Sequence, residues 1–81
     1  MKVRVRLFAL ARERAGAEWV ELSLETGATI GDLREQLARE HSGLAAIVPH
    51  VAFAVGTRYA GDQTVIAEGS EIACIPPVSG G

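Results

Sequence analysis

A lone thiol, Cys74, is all the cysteine chemistry in this 81-residue sequence, so no intrachain disulfide can form and a reducing compartment fits. Histidine is almost as scarce, with His41 and His50 the only two. A metal site would therefore need aspartate or glutamate ligands at spacings that the sequence does not offer. There is no phosphate-cradling loop, because Gly27 and Gly31 lack the lysine and the spacing such loops use. No apolar run approaches the length of a membrane span. Ala9-Leu10-Ala11 mimics a signal-peptide cleavage site, but Arg4 and Arg6 interrupt any apolar segment before it, and cleavage there would delete the first strand. A net charge of −2 argues against a dedicated nucleic-acid binder. Lys2, Arg4 and Arg6 alternate along one face with no interleaved aromatics, which reads as a solvated strand face. The expectation is a cytoplasmic protein with no bound cofactor, no metal, no nucleic acid and no membrane partner.

What is present suffices for one small domain. Hydrophobic residues make up 48% and charged residues 22%, a balance that folds. A chain this short buries only about 60–65% of its unfolded surface, which leaves little room for a deep pocket. Val3, Val5 and Leu7 alternate with the three basic residues, the period-2 signature of a strand buried on one face. Phe8 falls on the opposite parity and should point away from that core. Ala9–Ala15 predicts a turn or two of helix, broken by Gly16. Alternation returns with Val20, Leu22 and Leu24, leaving Trp19 on the polar side, half exposed.

Thr29-Ile30-Gly31-Asp32 matches a helix-capping pattern. Ile30, Leu33, Leu37 and His41 then form an inward stripe, and Ser42-Gly43 is expected to close the helix with a left-handed cap. Pro49 breaks residues 44–48 into an irregular or 3₁₀ piece. Residues 51–55 predict an apolar strand, Arg58–Ala60 a short one, 64–67 an extended fragment and Glu71–Ile75 the last strand. Pro76 and Pro77 end it, since neither can donate to a sheet ladder. One main helix on a small mixed sheet is an α+β layer pair. The β-grasp is the natural candidate, with the final strand central. Residues 1–77 form the domain and 78–81 a flexible tail.

A conventional active site is hard to find. Cys74 lies in a strand expected to be buried, without a charged neighbour to lower its pKa, and reads as a packed core thiol. His41 reads as a helix-end residue and His50 as a loop residue; Glu68 and Glu71 bracket a solvated turn. The sequence closes on Val78-Ser79-Gly80-Gly81. Two residues without Cβ atoms make a thin thread able to enter a channel that any side chain would block. Pro76-Pro77 stiffens its base, and the four residues beyond reach at most about 14 Å. The reactive group is thus expected to be the terminal carboxylate, which needs adenylation before sulfur can displace AMP.

Three stretches carry a resemblance: Leu7-Phe8-Ala9-Leu10-Ala11-Arg12-Glu13, Glu68-Gly69-Ser70-Glu71-Ile72 and Ile75-Pro76-Pro77-Val78-Ser79-Gly80-Gly81. They resemble, in turn, the Phe-Ala-x-x-Arg-Glu segment, the acidic Gly turn and the Pro-Pro-Val-(Ser/Thr)-Gly-Gly terminus of the small, sulfur-carrier subunits of molybdopterin synthase. The resemblance spans essentially the whole chain and implies a ubiquitin-like β-grasp. It implies that Gly81, preceded by Gly80, is adenylated by an E1-like enzyme using ATP and converted to a thiocarboxylate. Sulfur would then pass to cyclic pyranopterin monophosphate held by the large synthase subunit, whose side chains do the catalysis, in a heterotetramer. Phe8, Tyr59, Ile75, Pro76, Pro77, Val78 and Ser79 match positions that meet partners. Gly56 departs from the pattern, since related chains commonly carry Asn there.

Two other functions use the same terminus. A thiamine-type sulfur carrier keeps the chemistry but is usually shorter and lacks the Pro-Pro-Val lead-in; complementation of strains blocked in each pathway separates the two. A ubiquitin-like protein modifier would instead acylate lysines of target proteins and leave Gly-Gly remnants on them. A binding module that never uses its terminus would survive deletion of Gly81.

Overall fold

The computed structural model describes residues 1–77; residues 78–81, on which the expected tail falls, lie outside the described residues. In β1 (Lys2–Leu7), Val3, Val5 and Leu7 point inward, as do Val20 and Leu22 in β2 (Trp19–Ser23). The alternation along the chain thereby becomes one buried sheet face. These strands pair antiparallel, with Val5 opposite Val20. β5 (Glu71–Ile75) pairs parallel with the other side of β1, and β3 (Ala52–Val55) flanks β5 antiparallel. β4 (Arg58–Ala60) closes the edge, giving the order β2-β1-β5-β3-β4. The last strand is central, as expected. Residues 64–67 form no named strand: they make an isolated bridge between Thr29 and Val65 and bury Ile66 in the core.

α1 (Ala9–Ala15) follows β1 at once and ends at Gly16 in the left-handed conformation. α2 (Ile30–Glu40) buries Ile30, Leu33 and Leu37 in the core beside Phe53 and Ile72. Its start is a reciprocal capping box: the Asp32 N–H donates to Thr29 Oγ1 (3.2 Å), and the Thr29 N–H donates to Asp32 Oδ2 (2.9 Å).

Its end differs from the sequence reading. His41 is the half-buried C-cap residue rather than the last member of the inward stripe. The chain then runs into two 3₁₀ turns, Ser42–Leu44 and Val48–His50, and Gly43 does not take a left-handed φ. Gly43 is glycine for another reason. A Cβ there would stand 2.5 Å from the Arg14 carbonyl oxygen, so the first 3₁₀ turn lies backbone to backbone against α1.

Arg34 ties α2 to the lead-in of β3. Its Nη1 donates to the carbonyls of Val48 (2.6 Å) and Val51 (2.8 Å), while Nε and Nη2 reach Asp62 Oδ1 at 3.1 and 2.9 Å. The guanidinium also lies 4.9 Å from the centroid of the buried Phe53 ring. Among the described residues no helix is long and apolar enough to cross a membrane.

Candidate functional site

The helices cover one face of the sheet; the other face is open, and strand register decides what it displays. One cross-strand row runs Trp19, Arg6, Ala73, Ala54, Tyr59 through all five strands. Small residues occupy its middle and large ones its flanks. The next positions on this face are Ile75 and its partner Ala52, with Phe8 just beyond β1. Ala54 and Ala73 form the floor of a depression of about 380 Å³, walled by Phe8, Tyr59 and Ile75 and rimmed by Gly56. Phe8 is 38% and Tyr59 74% exposed. In a small domain, a contiguous apolar surface of this kind marks an interaction site.

Phe8 is held by its backbone. Its N–H donates to the Cys74 carbonyl (3.2 Å), and its own carbonyl accepts from the N–H groups of Ala11 (3.0 Å) and Arg12 (3.4 Å). Ala9 completes the corner with φ +49°, a left-handed conformation uncommon for a residue with a Cβ. At the opposite rim, Gly56 takes φ +61° and its N–H donates to the Glu71 carbonyl (3.1 Å). This main-chain bond ties the β3–β4 turn to the start of β5.

Sequence parity places Phe8 outside the core and Trp19 half out, and both stand so. Tyr59 and Ile75, known to the sequence reading only through the family resemblance, join Phe8 around the depression. Pro76 is buried at the end of β5 and Pro77 is exposed. Val78, Ser79, Gly80 and Gly81 lie outside the described residues. Missing from the sequence reading were Ala54 and Ala73 as a floor, and the aromatic neighbours of the arginines. Arg4 lies 4.3 Å from the Trp19 ring centroid; Arg6 lies 5.7 Å from the same ring and 5.1 Å from that of Phe8. Those aromatics come from across the strand and beyond its end, so the basic face is more than a solvated stripe. The available signal was the shared parity of Arg6 and Phe8.

Among the described residues, the thiol and the two imidazoles stand apart from this surface. Cys74 is fully buried, and burial pushes its thiol up to about 11, outweighing the opposing effect of the Arg34 charge. Arg34 is a charged neighbour that the sequence reading lacked, but desolvation prevails. His41 caps α2 and His50 ends the second 3₁₀ turn, exposed. Among the described residues no group of three or more His, Cys, Asp or Glu is placed to hold a metal ion. A second depression, of about 310 Å³, lies between Leu24 and the start of α2, but the Asp32 on its wall is already committed to capping.

A helix-covered mixed sheet with its last strand in the centre is the architecture of the ubiquitin-like β-grasp domains, and this chain has that fold. More narrowly, it belongs to the ThiS family, which it matches over residues 5–81. It is 35% identical over 83 residues to a molybdopterin synthase sulfur carrier subunit of Chlamydomonas reinhardtii, covering 100% of both chains. The structure of SAMP1 from Haloferax volcanii superposes with a TM-score of 0.87 at 29% identity, again over 100% of both chains. A protein–protein complex of subunits 1 and 2 of molybdopterin-converting factor from Helicobacter pylori contains a chain similar at a TM-score of 0.71 and 27% identity, with 100% of each covered.

Proposed function

We propose that this chain is the sulfur-carrier subunit of a molybdopterin synthase, delivering sulfur as a thiocarboxylate on Gly81. The end-to-end likeness to the Chlamydomonas carrier subunit carries this reading. The apolar depression beside β5 supports it, because it offers a partner a surface next to the strand that leads to the tail. The body of the domain supplies docking rather than catalysis, in keeping with its buried, protonated thiol.

The chemistry begins on an E1-like partner. The Gly81 carboxylate attacks the α-phosphorus of ATP and releases pyrophosphate, forming an acyl adenylate. Sulfide-level sulfur from a donor then attacks the acyl carbon and AMP leaves, giving the thiocarboxylate without any redox step, since a carboxylate oxygen becomes a good leaving group only once phosphorylated. The thiocarboxylate is a soft nucleophile. The open face next docks on the large subunit, which holds cyclic pyranopterin monophosphate. The thiocarboxylate sulfur attacks a pterin side-chain carbon as an oxygen leaves it, and water then cleaves the acyl–sulfur bond, leaving sulfur on the pterin and returning Gly81 as a carboxylate. Two sulfurs per product require two charged carriers, which suits an assembly with two copies of each subunit.

The test is intact-mass measurement after incubation with the cognate activating enzyme, ATP and a sulfur donor. Exchange of one oxygen for sulfur is expected, and deletion of Gly81 should abolish it while the fold persists. Unchanged mass under conditions that charge a known carrier would refute the proposal. The likeness to SAMP1, a small archaeal modifier protein, favours a second use of the same activated terminus: acylation of lysines on other proteins. Gly-Gly remnants on lysines in a proteome expressing this chain would support it, and their absence would remove it.

A further inference from the structure

We infer that Arg6 is a positioning residue for docking, fixing the Phe8 ring at the edge of the apolar depression before any partner arrives. The inference rests on the reading of the open face as the surface that meets the large subunit. A half-exposed aromatic that must be immobilised on binding costs affinity, so a ring already held binds more tightly. The Phe8 backbone is fixed by its three hydrogen bonds and the left-handed Ala9 corner, which set the direction of its Cα–Cβ bond. The ring itself needs a separate support.

Arg6 is placed to give it. Its guanidinium lies 5.1 Å from the Phe8 centroid and 5.7 Å from that of Trp19, within cation–π range of both. The Arg6 Nη2 donates to Glu18 Oε1 at 3.0 Å, and Glu18 is itself pinned to β1 by the Leu7 N–H donating to its carbonyl at 2.7 Å. A planar guanidinium can meet two rings and a carboxylate at once, which a lysine ammonium on a flexible stem cannot do as well. The chain Glu18–Arg6–Phe8 thus reaches from the residue before β2 across β1 to the rim of the depression. Ala73, the neighbour of Arg6 in β5, is too small to offer that support.

A double-mutant cycle with the large subunit of molybdopterin synthase tests this by titration calorimetry at fixed ionic strength, using the full-length chain. Phe8→Ala is expected to weaken binding about tenfold or more, as loss of an aromatic anchor does. Arg6→Ala should weaken it by roughly two- to fivefold, the size of one exposed cation–π contact. In the Phe8→Ala background Arg6→Ala should add nothing. Glu18→Gln, which leaves Arg6 in place but loosens its brace, should show a smaller loss that likewise vanishes without Phe8. Equal losses in both backgrounds would mean that Arg6 touches the partner itself, and no loss in the parent chain would mean that the ring needs no support; either overturns the inference. A Phe8→Ala variant that binds normally would instead overturn the docking reading beneath it.

Discussion

Replacing Arg34 by methionine keeps most of the aliphatic stem and removes all four of its donated contacts. They are not equivalent. The Asp62 side chain is 59% exposed, so its pairing contributes no more than about 1 kcal/mol. The Val48 and Val51 carbonyls belong to residues only 2% and 4% exposed. A hydrogen bond from a charged donor contributes about 1.5–3 kcal/mol. The Val48 carbonyl keeps the Val51 N–H at 3.3 Å, so the added desolvation cost falls at the Val51 carbonyl. One nitrogen serves both carbonyls, so the two cannot be counted in full. Arg34→Met should therefore destabilise by about 2–4 kcal/mol. In a domain of this size that is a fall in Tm of about 10–30 °C. Thermal and urea unfolding followed by circular dichroism would measure it, with Asp62→Ala alongside at less than about 1 kcal/mol. If the two variants cost the same, the surface ion pair and not the carbonyl clamp holds the lead-in to β3, and the reasoning fails.

Gly43→Ala should cost about 1–3 kcal/mol, because its methyl group meets the Arg14 carbonyl oxygen, whereas Gly61→Ala, with open space around it, should be neutral or slightly stabilising in the same unfolding assay. Ala9→Gly should escape the usual helix penalty of about 1 kcal/mol, since it relieves a left-handed alanine; a Tm well below that of the parent would contradict this. The Cys74 thiol, raised from 9.0 to about 11 in the fold, stays protonated there after the unfolded chain has ionised. Its contribution is therefore complete below about pH 9 and is lost as pH rises toward 11, by about 2–3 kcal/mol. Tm measured from pH 8 to 11 should fall more steeply for the parent than for Cys74→Ala, and parallel curves would refute the burial argument.

Local patterns in the sequence carried most of the fold. Val3, Val5 and Leu7 announce their buried face by alternation, and Thr29 with Asp32 writes the helix start in four residues, because both effects act between near neighbours. The end of α2 was misread for the complementary reason. Gly43 answers to the Arg14 carbonyl, on an element 29 positions earlier in the chain, and no local period records that contact. Arg34 looked like one more solvent-facing helix residue, since its carbonyl partners flank the second 3₁₀ turn, Val48 at its start and Val51 just after it. At the site, parity alone exposed Phe8, while Tyr59 needed the family resemblance. The alanine floor was invisible until strand order set Ala54 beside Ala73.

The central place of β5 has a mechanical consequence. Its residues are laddered to β1 on one flank and to β3 on the other, with Ile72 through Cys74 engaged on both sides. Tension entering the domain through Pro77 pulls along the axis of that strand, so two ladders resist together in shear instead of unzipping bond by bond.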